Sequence, residues 1–316
     1  VIGGGTAGCV MANRLSANPA NTVLLLEAGT PDDYIWIHIP VGYLYCIDNP
    51  RTDWRYRTEA EPGLNGRSLL YPRGKVMGGC SSINGMIYMR GQQADYDSWA
   101  AMGCEGWDWA SVLPWFLKSE DHHGGASAWH GAGNELRVEK QRLSWAVLDA
   151  FQSAAAQAGI PTVDDFNRGD NFGCSYFEVN QKRGVRWNAS KAFIKPVKHR
   201  HNLRIVTGAL VDKLDISSQA DGTLHCCGVH AIINGQRQHL KAAREVISCA
   251  GAVNSPAILE RSGIGRAEVL RAAGVPCLQD ARGVGENLQD HLQLRLAFKV
   301  QGVPTLNAQV HSVWGK

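Results

Sequence analysis

The apolar positions at the start of the chain predict a strand-helix-strand unit. Val1-Ile2 enters a glycine turn, and Val10, Met11 and Leu15 then recur at helical spacing, which predicts a helix over Ala7–Leu15. Thr22–Leu26 is a continuous apolar run of strand length, so the unit implies a parallel sheet. Residues 28–72 are irregular and rich in Pro, Gly, Asp and Tyr. A helix is expected from Ser81 onward, after a second glycine cluster. Asp95–Ala101 and Trp109–Ser119 have the pattern of short amphipathic helices, the latter capped by Asp108. Ser144–Gln157 is a stronger helix. Leu203–Val206, Leu210–Ile216 and Cys227–Ile233 are expected to be strands. Asn234-Gly235 closes a hairpin, because both turn residues must take φ > 0. Glu245–Cys249 is a further strand and Ser255–Ser262 a further helix. There is no internal repeat and no low-complexity tract. The fold class is α/β: a Rossmann-like nucleotide-binding domain with antiparallel additions.

Composition narrows the class. Hydrophobic residues are 44% of the 316 and charged residues 19%, enough for a large core and against disorder. Lys plus Arg is 32 against 29 for Asp plus Glu, a net +3 with no basic cluster, so a nucleic-acid partner is not expected. No apolar run is long enough for a transmembrane segment, and no signal peptide is visible. The nine cysteines are scattered and form no C-x-x-C pair, which favours reduced, mostly buried thiols in a cytoplasmic-type protein. The chain lacks an initiating Met, holds two residues of what should be a longer first strand, and stops at Asn307–Lys316 without a capping pattern. Both ends read as cut, so the chain is expected to be a fragment.

Two segments carry chemistry. Gly3-Gly4-Gly5-Thr6-Ala7-Gly8 is a G-x-G-x-x-G between a strand and a helix. Its glycines permit a tight turn, backbone approach to a pyrophosphate at the helix N-terminus, and close helix-strand packing. Glu27 ends the next strand, where a carboxylate accepts from ribose hydroxyls. That acid disfavours NADP but leaves NAD and FAD open. Arg73 to Gly85 (Arg-Gly-Lys-Val-Met-Gly-Gly-Cys-Ser-Ser-Ile-Asn-Gly) sets glycines and hydroxyls in a second turn, where backbone N–H groups can cradle a phosphate or face a flavin.

With these segments the sequence resembles the glucose-methanol-choline (GMC) oxidoreductases, which are FAD-dependent. Gly251-Ala252-Val253-Asn254-Ser255-Pro256 running to Gly265, and Gly283 to His291 (Gly-Val-Gly-Glu-Asn-Leu-Gln-Asp-His), carry the resemblance further. Asp95-Tyr96-Asp97-Ser98-Trp99 and Asp164-Asp165-Phe166-Asn167 look like the alcohol and choline dehydrogenase branch. The resemblance covers nearly the whole chain. It implies an FAD-binding domain over 1–295, with residues around 151–199 contributing to the substrate domain. The start of a truncated α+β substrate domain would follow at 296–316.

The resemblance also implies roles. Gly3, Gly5, Thr6, Ala7 and Gly8 would hold the FAD pyrophosphate, Glu27 the adenosine ribose, and Trp54 would lie near the adenine. Gly79, Asn84, Gly85, Met86 and Ile87 would line the flavin and pyrophosphate. Val211 would contact the adenine through its backbone, and Ala250 and Gly251 would pass close to the cofactor. Asn287, Gln289, Asp290 and His291 would close over the ribityl chain and ring. Some members attach FAD through a His in the Ser-Ser-x-Asn stretch; here that position is Ile83, so FAD is expected to be non-covalent.

The implied reaction is oxidation of a primary alcohol, of alcohol or choline type, to the aldehyde by hydride transfer to flavin N5. The base in the family lies in downstream segments that do not occur in residues 1–316. His311 does not match, so no catalytic residue is named and the base is expected beyond Lys316. The fragment alone is expected to be inactive. The expected partners are a small alcohol and a non-NAD electron acceptor, quinone-like or an artificial dye, with oxygen as an alternative. The expected location is cytoplasmic, with peripheral membrane contact through a quinone acceptor left open. The alternatives are a truncated non-catalytic FAD-binding protein, a non-redox member such as a hydroxynitrile lyase, and, more weakly, an NAD-dependent Rossmann dehydrogenase.

Other side chains have plainer readings. His291 is a structural neighbour of the cofactor rather than the base. His122-His123 with His130 sit in a Gly- and Ser-rich loop with no carboxylate at ligand spacing, so a solvated loop and no metal are expected. Cys226 and Cys227 should alternate across a strand. Cys80 is packing near the flavin segment, and Trp107, Trp109 and Trp115 are expected in the core.

Overall fold

The computed structural model describes residues 1–291 and 293–305. His311 and the rest of 306–316 lie outside the described residues. The chain divides into two compact units, Val1–Gly85 with Val185–Asp290, and Met86–Gly184 with the residues after Asp290. Along the chain the labelled elements begin with α1 (Thr6–Leu15), β1 (Val23–Leu26), β2 (Ile87–Tyr88), α2 (Gln93–Ala101) and α3 (Trp109–Ser119). Next come β3 (Glu120–His122), β4 (Leu136–Lys140), α4 (Ala146–Gln157), β5 (Glu178–Val179) and β6 (Leu203–Val206). The series ends with β7 (Ala209–Ser218), β8 (Leu224–Ile233), β9 (Gln236–Lys241) and α5 (Gly251–Arg261).

In the first unit, β1 pairs in parallel with β6, Val23 opposite Leu203. Ile2 adds parallel bridges to Leu26 and to Ser248. The β-α-β start therefore folds as its pattern predicts. β7, β8 and β9 form an antiparallel sheet beside it. Ile2, Leu26, Val211, Val229, Ala231 and Ile258 bury together, joining the parallel strands, the antiparallel sheet and α5 in one core. Asn13 of α1 donates to the Phe193 carbonyl at 2.6 Å, tying the helix to the buried turn Ser190–Ile194. The Asn234-Gly235 turn has φ of 51° and 76°, as the hairpin requires.

Three local expectations are corrected. Ser81 opens no α-helix: Gly79–Ser82 is a single 3-10 turn. Gly78 and Gly79 have φ of 87° and 53°, and the carbonyls of Ser81 and Asn84 are taken by the Arg186 guanidinium at 3.0 and 2.7 Å instead of by a following helical turn. Glu245–Cys249 is not a strand of a ladder; among the described residues it bridges to Ile2, through Ile247 O (2.9 Å) and Cys249 N (2.7 Å). Cys226 and Cys227 are both half-buried rather than one in and one out. The register shifts between Asp215 and Ile216, which face Gly228 and Cys226, so Cys227 sits in a bulge.

In the second unit the sheet order is β2-β5-β4-β3, with β3 and β4 parallel and the other pairs antiparallel. Asp108 caps α3, its Oδ1 accepting from the Ser111 N–H at 3.0 Å. Trp109 is in the core, whereas Trp107 and Trp115 are exposed, which corrects the expectation for those two. Trp115 follows Pro114 on the outward side of α3, with the Lys118 ammonium 4.8 Å from its ring centre. Among the described residues no helix is long and apolar enough to cross a membrane.

Candidate functional site

The main cavity of the first unit has a volume of about 710 Å³, within the range of cofactor sites. Its floor is the glycine turn. Gly3 has φ +93°, and a Cβ there would lie 2.5 Å from the Cys249 carbonyl oxygen. A Cβ on Gly8 would lie 1.8 Å from the Gly3 carbonyl oxygen, so α1 can approach the strand only with glycine at this position. Gly5 is the N-cap of α1, and no side chain caps that turn. Uncapped amides at a helix N-terminus attract an anion. Among the described residues, and apart from its own chain neighbours, a Cβ built on Gly5 would meet Gly79 Cα alone within 4 Å, at 3.9 Å, so a methyl group would take space that is otherwise open.

Glu27 is buried at the end of β1. Its Oε2 accepts from Gly4 N–H at 2.7 Å and its Oε1 from Gly29 N–H at 2.8 Å. Each oxygen keeps a second lone pair for a ribose hydroxyl. Burial raises the Glu27 pKa, and the two backbone amides and the Lys75 charge pull against that rise.

The second glycine segment is locked to the first. Gly78 N–H donates to Gly4 O at 2.7 Å, and Met77 N–H to Thr30 O at 3.0 Å. Behind it, Arg186 is fully buried and donates to Ile37 O (2.7 Å), Ser81 O, Asn84 O and Asn84 Oδ1 (2.8 Å). Burial lowers the Arg186 pKa to about 10. The cavity wall carries Trp54 and Tyr56, stacked with centroids 5.8 Å apart and planes 6° apart. Lys75 Nζ lies 4.8 Å from the Trp54 ring centre. The Tyr56 hydroxyl donates to Asn254 Oδ1 at 2.8 Å, and burial raises its pKa.

Of the residues singled out from sequence, Gly3, Gly5, Thr6, Ala7, Glu27, Trp54, Gly79, Val211, Ala250 and Gly251 line this cavity. Gly8 sits behind it, in packing. Asn84 is engaged with Arg186, and neither it nor Gly85 is among the lining residues. Asn287, Gln289 and Asp290 are exposed and do not line it either. Met86, Ile87 and His291 belong to the second unit, where Met86 is buried and Ile87 and His291 are exposed. Cys80 is exposed on the cavity wall, its Sγ accepting from Gly74 N–H at 3.4 Å. Tyr56, Asp212, Ser248 and Arg261 also line the cavity and were not singled out. Tyr56 had no sequence signal: it reaches the ring of Trp54 because Arg55 between them takes φ +60°, a kink that the residue pattern does not announce. The other three had none either.

The histidines of the second unit are not in a solvated loop. His130 is buried between two carboxylates, with Nδ1 3.0 Å from Glu120 Oε2 and Nε2 2.9 Å from Asp165 Oδ2. Burial opposes its charge, but hydrogen bonds to Asp165 and Glu120 win and raise its pKa to about 9. Arg90 reaches Glu120 at 3.0 Å. His122 stacks on His130 with centroids 3.7 Å apart, and the Nε2 atoms of His122 and His123 meet Glu178 Oε1 at 2.8 and 2.9 Å. Glu120 lies two residues before His122 and was overlooked, whereas Asp165 and Glu178 are distant in sequence and gave no local signal.

Comparison with known proteins agrees with the geometry. The family model described as GMC oxidoreductase matches residues 1–293. Human mitochondrial choline dehydrogenase is 41% identical over 302 residues, which is 93% of this chain and 50% of that protein. An oxygen-dependent choline dehydrogenase of Rhizobium etli (strain CIAT 652) is 39% identical over 312 residues, 99% of this chain and 55% of that one. Among solved structures, pyridoxine 4-oxidase from Mesorbium loti superposes with a TM-score of 0.82 at 36% identity, over 88% of this chain and 54% of that one. A formate oxidase superposes with a TM-score of 0.80 at 29% identity, over 89% of this chain and 50% of that one. The chain thus spans about half the length of the curated relatives it matches.

Proposed function

The chain belongs to the GMC oxidoreductase family, and from that premise we propose that its protein oxidises a primary alcohol, of alcohol or choline type, to the aldehyde with FAD. The observation that carries this is the pair of locked glycine turns over the buried Glu27 carboxylate. Together they offer backbone amides for a pyrophosphate and a carboxylate for a ribose. Bound FAD would supply the hydride acceptor. Gly5, Thr6 and Ala7 would face its pyrophosphate, Glu27 the adenosine ribose, and Trp54 and Val211 the adenine. Gly79, Ala250 and Gly251 would let the cofactor pass close to backbone. Ile83 is buried beside Ile37, Cys46 and Val76 and offers no nucleophile, which supports non-covalent FAD.

Among the described residues no histidine lines the cavity, and we place the base that takes the hydroxyl proton downstream of Lys316. Electrons would pass to a non-NAD acceptor, quinone-like or a dye; relatives named oxygen-dependent choline dehydrogenase keep oxygen as the alternative. The test is anaerobic mixing of the full-length flavoprotein with choline and a series of primary alcohols. Bleaching of the visible flavin band by one of them is expected. A flavin that dithionite bleaches but no alcohol does would overturn the reading.

A further inference from the structure

On the antiparallel sheet of the first unit, and not among the residues that line the main cavity, His230 and His239 flank the Asn234-Gly235 turn at equal distance. The hairpin register places them directly opposite one another on β8 and β9. Their rings stack with centroids 4.8 Å apart and planes 15° apart. Asp215, on β7, faces Gly228 of the middle strand. With no side chain at Gly228, the Asp215 carboxylate reaches across β8, and its Oδ2 lies 2.7 Å from His239 Nε2. A Cβ on Gly228 would lie 2.2 Å from the Leu240 carbonyl oxygen, so the gap is built into the strand pairing.

We propose that Asp215, His230 and His239 form a site for one divalent transition-metal ion of the zinc type. One potential ligand atom from each residue lies within 4.8 Å of the other two. Two imidazoles and a carboxylate are a donor set such ions accept, with water completing the shell. The three strands hold the donors on one frame, and the exposed His239 beside the half-buried His230 leaves a path for the ion. Among the described residues His239 meets Asp215 through Nε2 alone and His230 is not held by a carboxylate, which separates this cluster from the histidines of the second unit. There His122 Nδ1 accepts from Gly124 N–H, which puts the neutral ring's proton on Nε2, and both His130 nitrogens are held by carboxylates. His230 makes no side-chain hydrogen bond among the described residues. Lys213 faces His230 from β7, and its charge opposes the ion. Its removal should therefore tighten binding. An ion here would cross-link all three strands of the sheet whose first strand carries Val211 into the cavity wall.

The test titrates chelator-stripped, flavin-loaded protein with Zn²⁺ by calorimetry. One ion per chain is expected, with affinity falling about tenfold or more in His230→Ala and in His239→Ala and rising in Lys213→Ala. Bound Zn²⁺ should raise the melting temperature of the parent and not of Asp215→Asn, which keeps the shape of the side chain should an alanine variant fail to fold. Two results overturn the proposal: no saturable Zn²⁺ binding, or binding that survives these substitutions and disappears in a His122→Ala/His123→Ala variant.

Discussion

Gly79 stands against Gly5 so closely that a Cβ on Gly79 would lie 2.7 Å from the Gly5 Cα. The two glycine segments, more than seventy positions apart, thus meet backbone to backbone at the cavity floor. Gly79 also has φ +53°, so any side chain would be strained as well as crowded. Gly79→Ala is expected to cost ~1–3 kcal/mol of stability and to weaken flavin retention by about tenfold. Gly63→Ala is the control, since among the described residues a Cβ there meets nothing within 4 Å. The ratio of flavin to protein absorbance after gel filtration reads both. Equal retention in the two variants would show that the contact is dispensable.

Arg186 holds the second glycine segment from behind, with four hydrogen bonds from one buried guanidinium. Arg186→Met keeps much of the volume and removes every donor, leaving the Ile37, Ser81 and Asn84 carbonyls without that partner. A loss of roughly 1–3 kcal/mol for each buried carbonyl left unsatisfied is expected. Arg186→Lys should rescue little, because a single ammonium cannot reproduce the planar fork. Urea midpoints measure this. A Met variant as stable as the parent would mean that packing alone holds the segment.

What could be read from the sequence, and what could not, follows chain distance. The Asn234-Gly235 hairpin, the Asp108-capped helix and the glycine turn are local, each set by residues within a few positions. Glu27 was legible because a short β-α-β unit fixes its place. Arg186 was not, because its acceptors lie around a hundred positions or more upstream. Nor was the burial of His130, whose second carboxylate, Asp165, arrives from another part of the chain. The bulge at Cys227 depends on the register of a partner strand, which alternation within one strand does not reveal. Ser81 looked like a helix start only while the claim of Arg186 on its carbonyl was unknown.

Ile83 bears on how the flavin is held. Its side chain is packed among Ile37, Cys46 and Val76, with Tyr34 and Trp36 beside them. Denaturing the purified flavoprotein in acid and filtering it is expected to release all of the yellow chromophore into the filtrate. Flavin retained on the polypeptide after this treatment would require a covalent link elsewhere and would refute the non-covalent assignment. Ile83→Ala should destabilise the protein by ~2–5 kcal/mol through the cavity it leaves.

His130 should give the second unit an alkaline stability limit. Its folded pKa, about 9, lies above the ordinary histidine value, so its contribution is complete below about 6.5 and is lost as pH rises through about 9. Glu120 and Asp165 act in the opposite sense. Burial works against their ionisation, but His130 and their other donors outweigh it and lower both pKa values. Their contribution is present above the ordinary carboxylate range and is lost as pH falls through the lowered values. Stability should therefore peak between mildly acidic and neutral pH and decline toward pH 9. His130→Ala leaves Glu120 to Arg90 and Asp165 to the exposed Arg168. It should cost ~3–5 kcal/mol near neutrality, with the difference from the parent narrowing as pH passes 9. Urea midpoints of both proteins across that range decide it: parallel curves would mean that His130 is not the group that titrates.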